Sequence, residues 1–151
     1  MTTLPWTDAL RLGLPEIDHT HEAFVTLLAQ AEAAPDAELA DLWQALITHT
    51  EAHFGQEDRW MQQTGFASTG IHMGQHHAVL QAMRGAQALG ERGQWSELRA
   101  MVRDLASWFG QHAQIMDAAM ALHLRGVGYD PTTGQVHLPA TQAEPTAPSV
   151  A

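Results

Sequence analysis

The sequence predicts an all-α protein: an antiparallel, up-down-up-down four-helix bundle with an irregular N-terminal arm and an extended C-terminal tail. Three observations lead there. Apolar residues recur at intervals of three and four in four successive stretches, the pattern of helices buried along one stripe. Breaks of about three to five residues separate these stretches, and short connections favour antiparallel neighbours. The alternation of half-buried strands is essentially missing. At 151 residues the chain has room for one domain with a core, not two.

Residues 1–17 contain Pro5, Gly13 and Pro15 among scattered apolar residues and read as an arm packed on the bundle. Asp18, with Ile17 before it, is a plausible N-cap for a helix over about 18–33, whose stripe is His21, Phe24, Leu28 and Ala31. Pro35-Asp36 marks a break and a second cap. The helix over about 37–63 follows, with Leu39, Leu42, Leu46, His53, Glu57 and Trp60 on one face. Gly65 suits the left-handed position after a helix end. Ser68 or Thr69 opens a third helix to about residue 90, striped by His72, His76, Val79, Met83 and Ala86. Gly90 and Gly93 break it. Ser96 caps the fourth, over about 96–124, in which Leu98, Met101, Leu105, Trp108, His112, Ile115 and Leu122 are expected on one side. Residues 1–125 form the bundle on this reading. From 126 to 151, repeated Pro, Gly and Thr predict an extended tail, at most strapped down near Val127 and Tyr129.

Composition narrows the function. There is no Cys, which excludes a disulfide framework, a thiolate nucleophile and Cys-based metal sites. Asp and Glu number 17 against seven basic residues, for a net charge of −10, so neither nucleic acid nor an anionic membrane is the expected partner. No apolar run reaches the roughly 18 residues of a membrane span, and no signal peptide is visible, so a cytoplasmic, monomeric protein is expected. What remains unusual is ten His.

Seven polar residues fall on the inward stripes: His21 from the first helix, His53 and Glu57 from the second, His72 and His76 from the third, His112 and Asp117 from the fourth. Both pairs at i, i+4 lie about 40° apart and one turn along the axis, so each can reach a single ion. A lone stripe His is ordinarily a hydrogen-bonded core residue. Five imidazoles and two carboxylates on four inward faces are too many for an empty core, since burying a carboxylate without a partner costs several kcal/mol or drives it to stay protonated. Two cations resolve this. His112 and Asp117 are five apart, about 140° round a regular helix, so either Asp117 reaches in from the flank or a π-type bulge lies between them. His19, His49, His77, His123 and His137 are expected to face solvent. The Trp and Met residues read mostly as core filling.

The ordered strings Trp6…Leu12-Gly13, Ile17-Asp18-x-x-His21, His53-Phe54-x-x-Glu57 with Met61, His72-x-x-x-His76 and Trp108-x-x-x-His112-x-x-x-x-Asp117 resemble the single-domain, bacterial type of the hemerythrin family. That resemblance implies two iron ions, Fe2+ or Fe3+, joined by an oxo or hydroxo bridge. His72, His76 and His112 would hold one and His21 and His53 the other, with Glu57 and Asp117 bridging. It further implies reversible dioxygen binding, with azide as a mimic, and O2 held end-on as hydroperoxide on the five-coordinate iron. On the same ground Phe24, Phe54, Trp108, Phe109 and Ala113 would line the O2 pocket. Three of these depart from the family's usual residues: Phe24 and Phe109 stand where Leu is common, and Ala113 stands where Ile is common. An opened pocket would admit water and hasten oxidation. The competing classes are a diiron enzyme acting on peroxide or nitric oxide, an O2- or redox-sensing module, and a structural zinc or metal-free bundle.

Overall fold

A computed structural model describes residues 3–136. The four helices are α1 (Pro15–Ala33), α2 (Asp36–Thr64), α3 (Thr69–Glu91) and a fourth in three parts. Those parts are α4 (Trp95–His112), a π-helical turn over Ala113–Asp117 and α5 (Ala118–Gly126). Each helix packs on its sequence neighbours, and α4 closes the square against α1.

The helices start and stop for local reasons. α1 begins three residues earlier than expected, with Pro15 in the first turn, where its fixed φ suits the helix and its missing N–H is no loss. Asp18 therefore lies inside α1, and its carboxylate turns back to the arm, accepting from the Leu12 and Gly13 amides at 2.7 and 3.1 Å. Arg125 adds a hydrogen bond from its guanidinium to the Leu12 carbonyl, so the arm is tied to both ends of the chain's path. α2 ends on Gly65, whose φ of 67° and ψ of 39° are the left-handed closure that glycine adopts without a Cβ penalty. Ser68 and Ser96 make no side-chain cap; α4 starts at Trp95, with Gln94 in the cap position.

The π turn resolves the awkward five-residue spacing by absorbing one extra residue, and it has a consequence for the helix face. The C-terminal part is rotated by one position, so Asp117, Met120, Ala121 and Leu124 are buried. Ile115 and Leu122, placed on the inner stripe by a regular period, are instead 69% and 66% exposed. The helical period cannot be carried through a π turn without a shift of one residue.

The core falls into two apolar clusters. The larger joins Leu10, Phe24, Leu28, Trp43, Leu46, Leu105, Phe109 and Ala113 with their neighbours; the smaller joins Ile17, Trp60, Met61, Met120, Ala121, Leu124 and Tyr129. Trp43 is completely buried and donates its indole N–H to the Met83 carbonyl at 2.9 Å, pinning α2 to α3. Beyond α5 the chain makes a two-stranded antiparallel hairpin, β1 (Tyr129–Asp130) with β2 (Gln135–Val136), where an extended tail was expected from residue 126. Tyr129 straps it down, its hydroxyl donating to Gln63 Oε1 at 3.1 Å. The tail from 137 onward, with His137, lies outside the described residues.

Candidate metal centre

Along each helix the polar stripe residues sit where the two apolar clusters meet: His21 between Ile17 and Phe24, and His53 and Glu57 between Ile47 and Trp60. His112 and Asp117 likewise stand before Met120. All seven are buried, none more than 4% exposed. They converge through their inner atoms. The five histidines present Nε2 to the two carboxylates, at 2.9 Å for His53–Glu57, 3.2 Å for His21–Asp117, 2.9 Å for His72–Asp117 and 3.0 Å for His112–Asp117. His76 Nε2 lies 3.4 Å from Glu57.

Each carboxylate divides its oxygens between two groups of histidines. Glu57 Oε2 faces His21 and His53, while its Oε1 faces His72 and His76. Asp117 Oδ2 faces His21, while its Oδ1 faces His72 and His112. Two overlapping sets result, Glu57, His72, His76, His112 and Asp117 on one side, and His21, His53, Glu57 and Asp117 on the other. Within each, the ligand atoms lie inside 4.8 Å of one another. Donors around a first-row ion at about 2.1 Å stand roughly 3 Å apart, which is the spacing found.

The satisfaction of these atoms tests the fit independently. Both nitrogens of His21, His76 Nε2, Glu57 Oε1 and both Asp117 oxygens are buried without a hydrogen-bond partner. His72 Nε2 and His112 Nε2 face each other at 3.2 Å, two acceptor atoms unless one is protonated. Buried polar atoms are normally paired, and cations held at the centre of each set would satisfy all of these at once. The donor set suits a pair of metal ions.

Residues 12–121 match the family model described as "Hemerythrin HHE cation binding domain". The chain belongs to the hemerythrin family. It is 35% identical over 130 residues to the bacteriohemerythrin of Ralstonia nicotianae, covering 86% of this chain and 95% of that one. It is 24% identical to the bacteriohemerythrin of Stenotrophomonas maltophilia, over 80% of this chain and 81% of the other. A crystal structure of a hemerythrin mutant superposes with a TM-score of 0.74 at 20% identity, covering 82% of this chain and 98% of that one. The hemerythrin fold is thereby shown.

Around the hemerythrin centre, the five aromatic and small residues named from the sequence divide between the two sides. Phe109 stacks on Phe24 with centroids 4.4 Å apart and sets its edge against His21 at 5.1 Å. Ala113 is fully buried in that cluster. Phe54 lies flat on His76 at 3.9 Å and 4°, also touching His53 at 5.3 Å, and Trp108 stacks on His112 at 4.4 Å. Of the histidines expected at the surface, His19 and His77 are exposed. His49 and His123 are half-buried. His49 Nε2–H donates to the Thr20 carbonyl at 3.1 Å, bridging α2 to α1. Burial, with His53 and His21 nearby, pushes His49 below the usual imidazole value. His123 bonds Thr64 Oγ1 at 3.0 Å and lies against Phe66, the rings tilted at 39°. Turns of helix that look solvated in sequence are covered here by the arm side of α1 and by the α2–α3 connection.

Two residues escaped sequence reasoning. His76 Nδ1–H donates to Asp58 Oδ1 at 2.7 Å, and His112 Nδ1–H donates to Gln75 Oε1 at 3.2 Å. Asp58 directly follows Glu57 and Gln75 directly precedes His76, so both sit one position off the stripe and read as ordinary solvated residues. The available signal was adjacency: a polar residue next to a ligand on one helix can reach the outer nitrogen of a ligand on its neighbour.

The field of the two carboxylates dominates the metal-free centre. Burial works against a charged ring at His21, yet Asp117 and Glu57 outweigh it and lift its pKa to about 9. At His76, burial is likewise overcome by Asp58 and Glu57, again to about 9. Burial opposes ionisation of Glu57 and Asp117, yet the surrounding imidazoles hold both below the usual carboxylate range. The centre thus keeps two carboxylates ionised in the interior, ready to act as ligands.

Proposed function

We propose that this chain binds dioxygen reversibly at a non-haem diiron centre, as a store, carrier or sensor of oxygen rather than an enzyme. The observation that carries the reading is the division of each carboxylate between a three-His and a two-His set in a hemerythrin chain. His72, His76 and His112 would hold one iron, His21 and His53 the other, and Glu57 and Asp117 would bridge. When bound, the iron pair would supply the two electrons and the open position on the two-His side that reversible dioxygen binding requires.

The side chains contribute position and, on the flank of Phe24 and Phe109, dryness. The Phe24–Phe109 stack closes over His21 and, with fully buried Ala113, forms an apolar wall on the two-His side. No further acid or base is needed, since both buried carboxylates serve as ligands and the wall offers no proton donor. Ligation mainly by imidazole favours reversible binding over the carboxylate-rich chemistry of oxidising diiron sites.

The test is metal analysis followed by oxygen titration. The expected result is two irons per chain, a charge-transfer band that shifts with azide, and O2 recovered intact under vacuum. Consumption of O2 without recovery, or turnover of peroxide or nitric oxide, would replace this reading with the diiron-enzyme one. A bound ion without such a band would point to structural zinc.

A further inference from the structure

The two sets of ligands differ in what holds them from behind. In the three-His set, His76 is anchored by Asp58 at 2.7 Å and His112 by Gln75 at 3.2 Å. Phe54 and Trp108 lie stacked on the same two rings. The third, His72, has a buried Nδ1 without a hydrogen-bond partner, and in the two-His set neither His21 Nδ1 nor His53 Nδ1, both buried, has one, so two of three rings are anchored on one side and none of two on the other. Hydrogen bonds to the outer nitrogen fix the tautomer and the ring plane, and losing one typically weakens a metal site by about 10–100-fold.

A second difference is access. A cavity of about 170 Å³ between α1 and α2 is lined by His49, Ala52, His53, Gln56, Glu57 and Trp60, and so reaches the two-His set directly. Ala52 and Gln56 are exposed at its mouth, and the His49 bond to the Thr20 carbonyl spans its wall. The three-His set also has more protein donors, five against four.

Building on the metal-centre reading above, we infer that the two metal positions are unequal. The His72, His76 and His112 position is fixed, fills first and empties last. The His21 and His53 position is exchangeable, gaining and losing its ion through the α1–α2 cavity. Asp58 is the positioning residue that sets this order, acting through His76, and it is not itself a ligand. The chain can therefore carry one ion alone in the three-His position and accept a different metal in the other.

The experiment loads the metal-free full chain anaerobically with Co(II), whose ligand-field spectrum reports each position. Release to a strong chelator is then followed. The expected release has two phases of one ion per chain each, with rates at least about tenfold apart. Asp58→Ala should speed the slow phase about 10–100-fold and alter the spectrum of the retained ion, with the fast phase unchanged. Asp58→Asn keeps an acceptor for His76 Nδ1–H and should recover most of the slow rate. Ala52→Leu, which narrows the cavity mouth, should slow only the fast phase. Melting of the metal-free variants separates these effects from misfolding, and a fully folded Asp58→Ala with unchanged release rates overturns the role of Asp58. Two ions leaving in a single phase overturn the inequality alone. Failure of the folded chain to bind Co(II) at all overturns the metal-centre reading, and the inequality with it.

Discussion

Deleting Gln114 should leave the bundle intact, whereas deleting Ala119, five residues further on, should not. Both residues are exposed, so neither deletion removes buried surface directly. Gln114 lies inside the π turn over Ala113–Asp117, which contains one residue more than an α-helix needs. Without it the segment closes into regular helix. His112 and the carboxylate of Asp117 then stand four apart, about 40° in azimuth and 6 Å along the axis, and both still face the centre. Deleting Ala119 shifts everything after it by about 100°. Met120 and Leu124, both fully buried, are turned out, and Arg125 is brought towards the place of Leu124. Losing two large apolar side chains costs about 3–6 kcal/mol, which for a chain of this size lowers Tm by roughly 10–20 °C. Thermal unfolding with metal counting reads both outcomes. The Gln114 deletion should melt within a few degrees of the parent and bind the same number of ions. If it melts as low as the Ala119 deletion, or binds fewer ions, the account of the π turn as one absorbed residue is wrong.

Other changes test separate parts of the structure. In chelator-treated protein His21 and His76 titrate near 9, above the ordinary imidazole value of 6.5. Their contribution to stability is therefore complete below about pH 6.5 and is lost as pH rises through 9. Glu57 and Asp117, held low, act the opposite way, contributing above the ordinary carboxylate range and failing in acid. The urea midpoint of the metal-free protein should thus fall between pH 6.5 and 9, and a flat or rising midpoint there refutes the carboxylate field as described. Gly65→Ala, at a φ of 67°, should cost about 1–2 kcal/mol by strain at the end of α2; an unchanged unfolding midpoint would count against it. Ala113→Ile adds three carbons beside Phe24 and Phe109, costing about 1–3 kcal/mol by overpacking and slowing autoxidation by tightening the wall. Equal or faster decay of the oxygenated form would show that Ala113 leaves no opening.

Much of this was legible because the helical period carries both kinds of information. Leu28, Leu39, Leu46, Met83 and Leu105 mark the inner faces, and the histidines and carboxylates that interrupt those faces mark the centre. Spacing alone showed that His112 and Asp117 cannot both face inward on a regular helix and left two arrangements, Asp117 reaching in from the flank or a π turn, of which the structure has the π turn. The same periodicity misled where it was carried into and past that turn: Ile115 and Leu122 follow the count but not the face. Asp58 and Gln75 escaped, and His49 was expected in solvent, for another reason. Each acts on a neighbouring helix, and the rotation of one helix against another is a property of packing that a linear pattern does not contain. The hairpin after α5 was hidden for want of length, as two residues per strand show no alternation.

The meeting of two apolar clusters at the polar centre bears on how this bundle comes apart. Seven buried polar groups, several with atoms that lack a partner, separate the Trp43 end from the Trp60–Tyr129 end, so without ions the halves are coupled less firmly than a continuous apolar core would couple them. Bound cations would tie all four helices at that waist and make the halves melt as one. Stripped of metal, the molecule should open in stages. Amide protons near Met120, Leu124 and Tyr129 should exchange well before those around Trp43 and Leu46, and metal loading should merge the two classes into one.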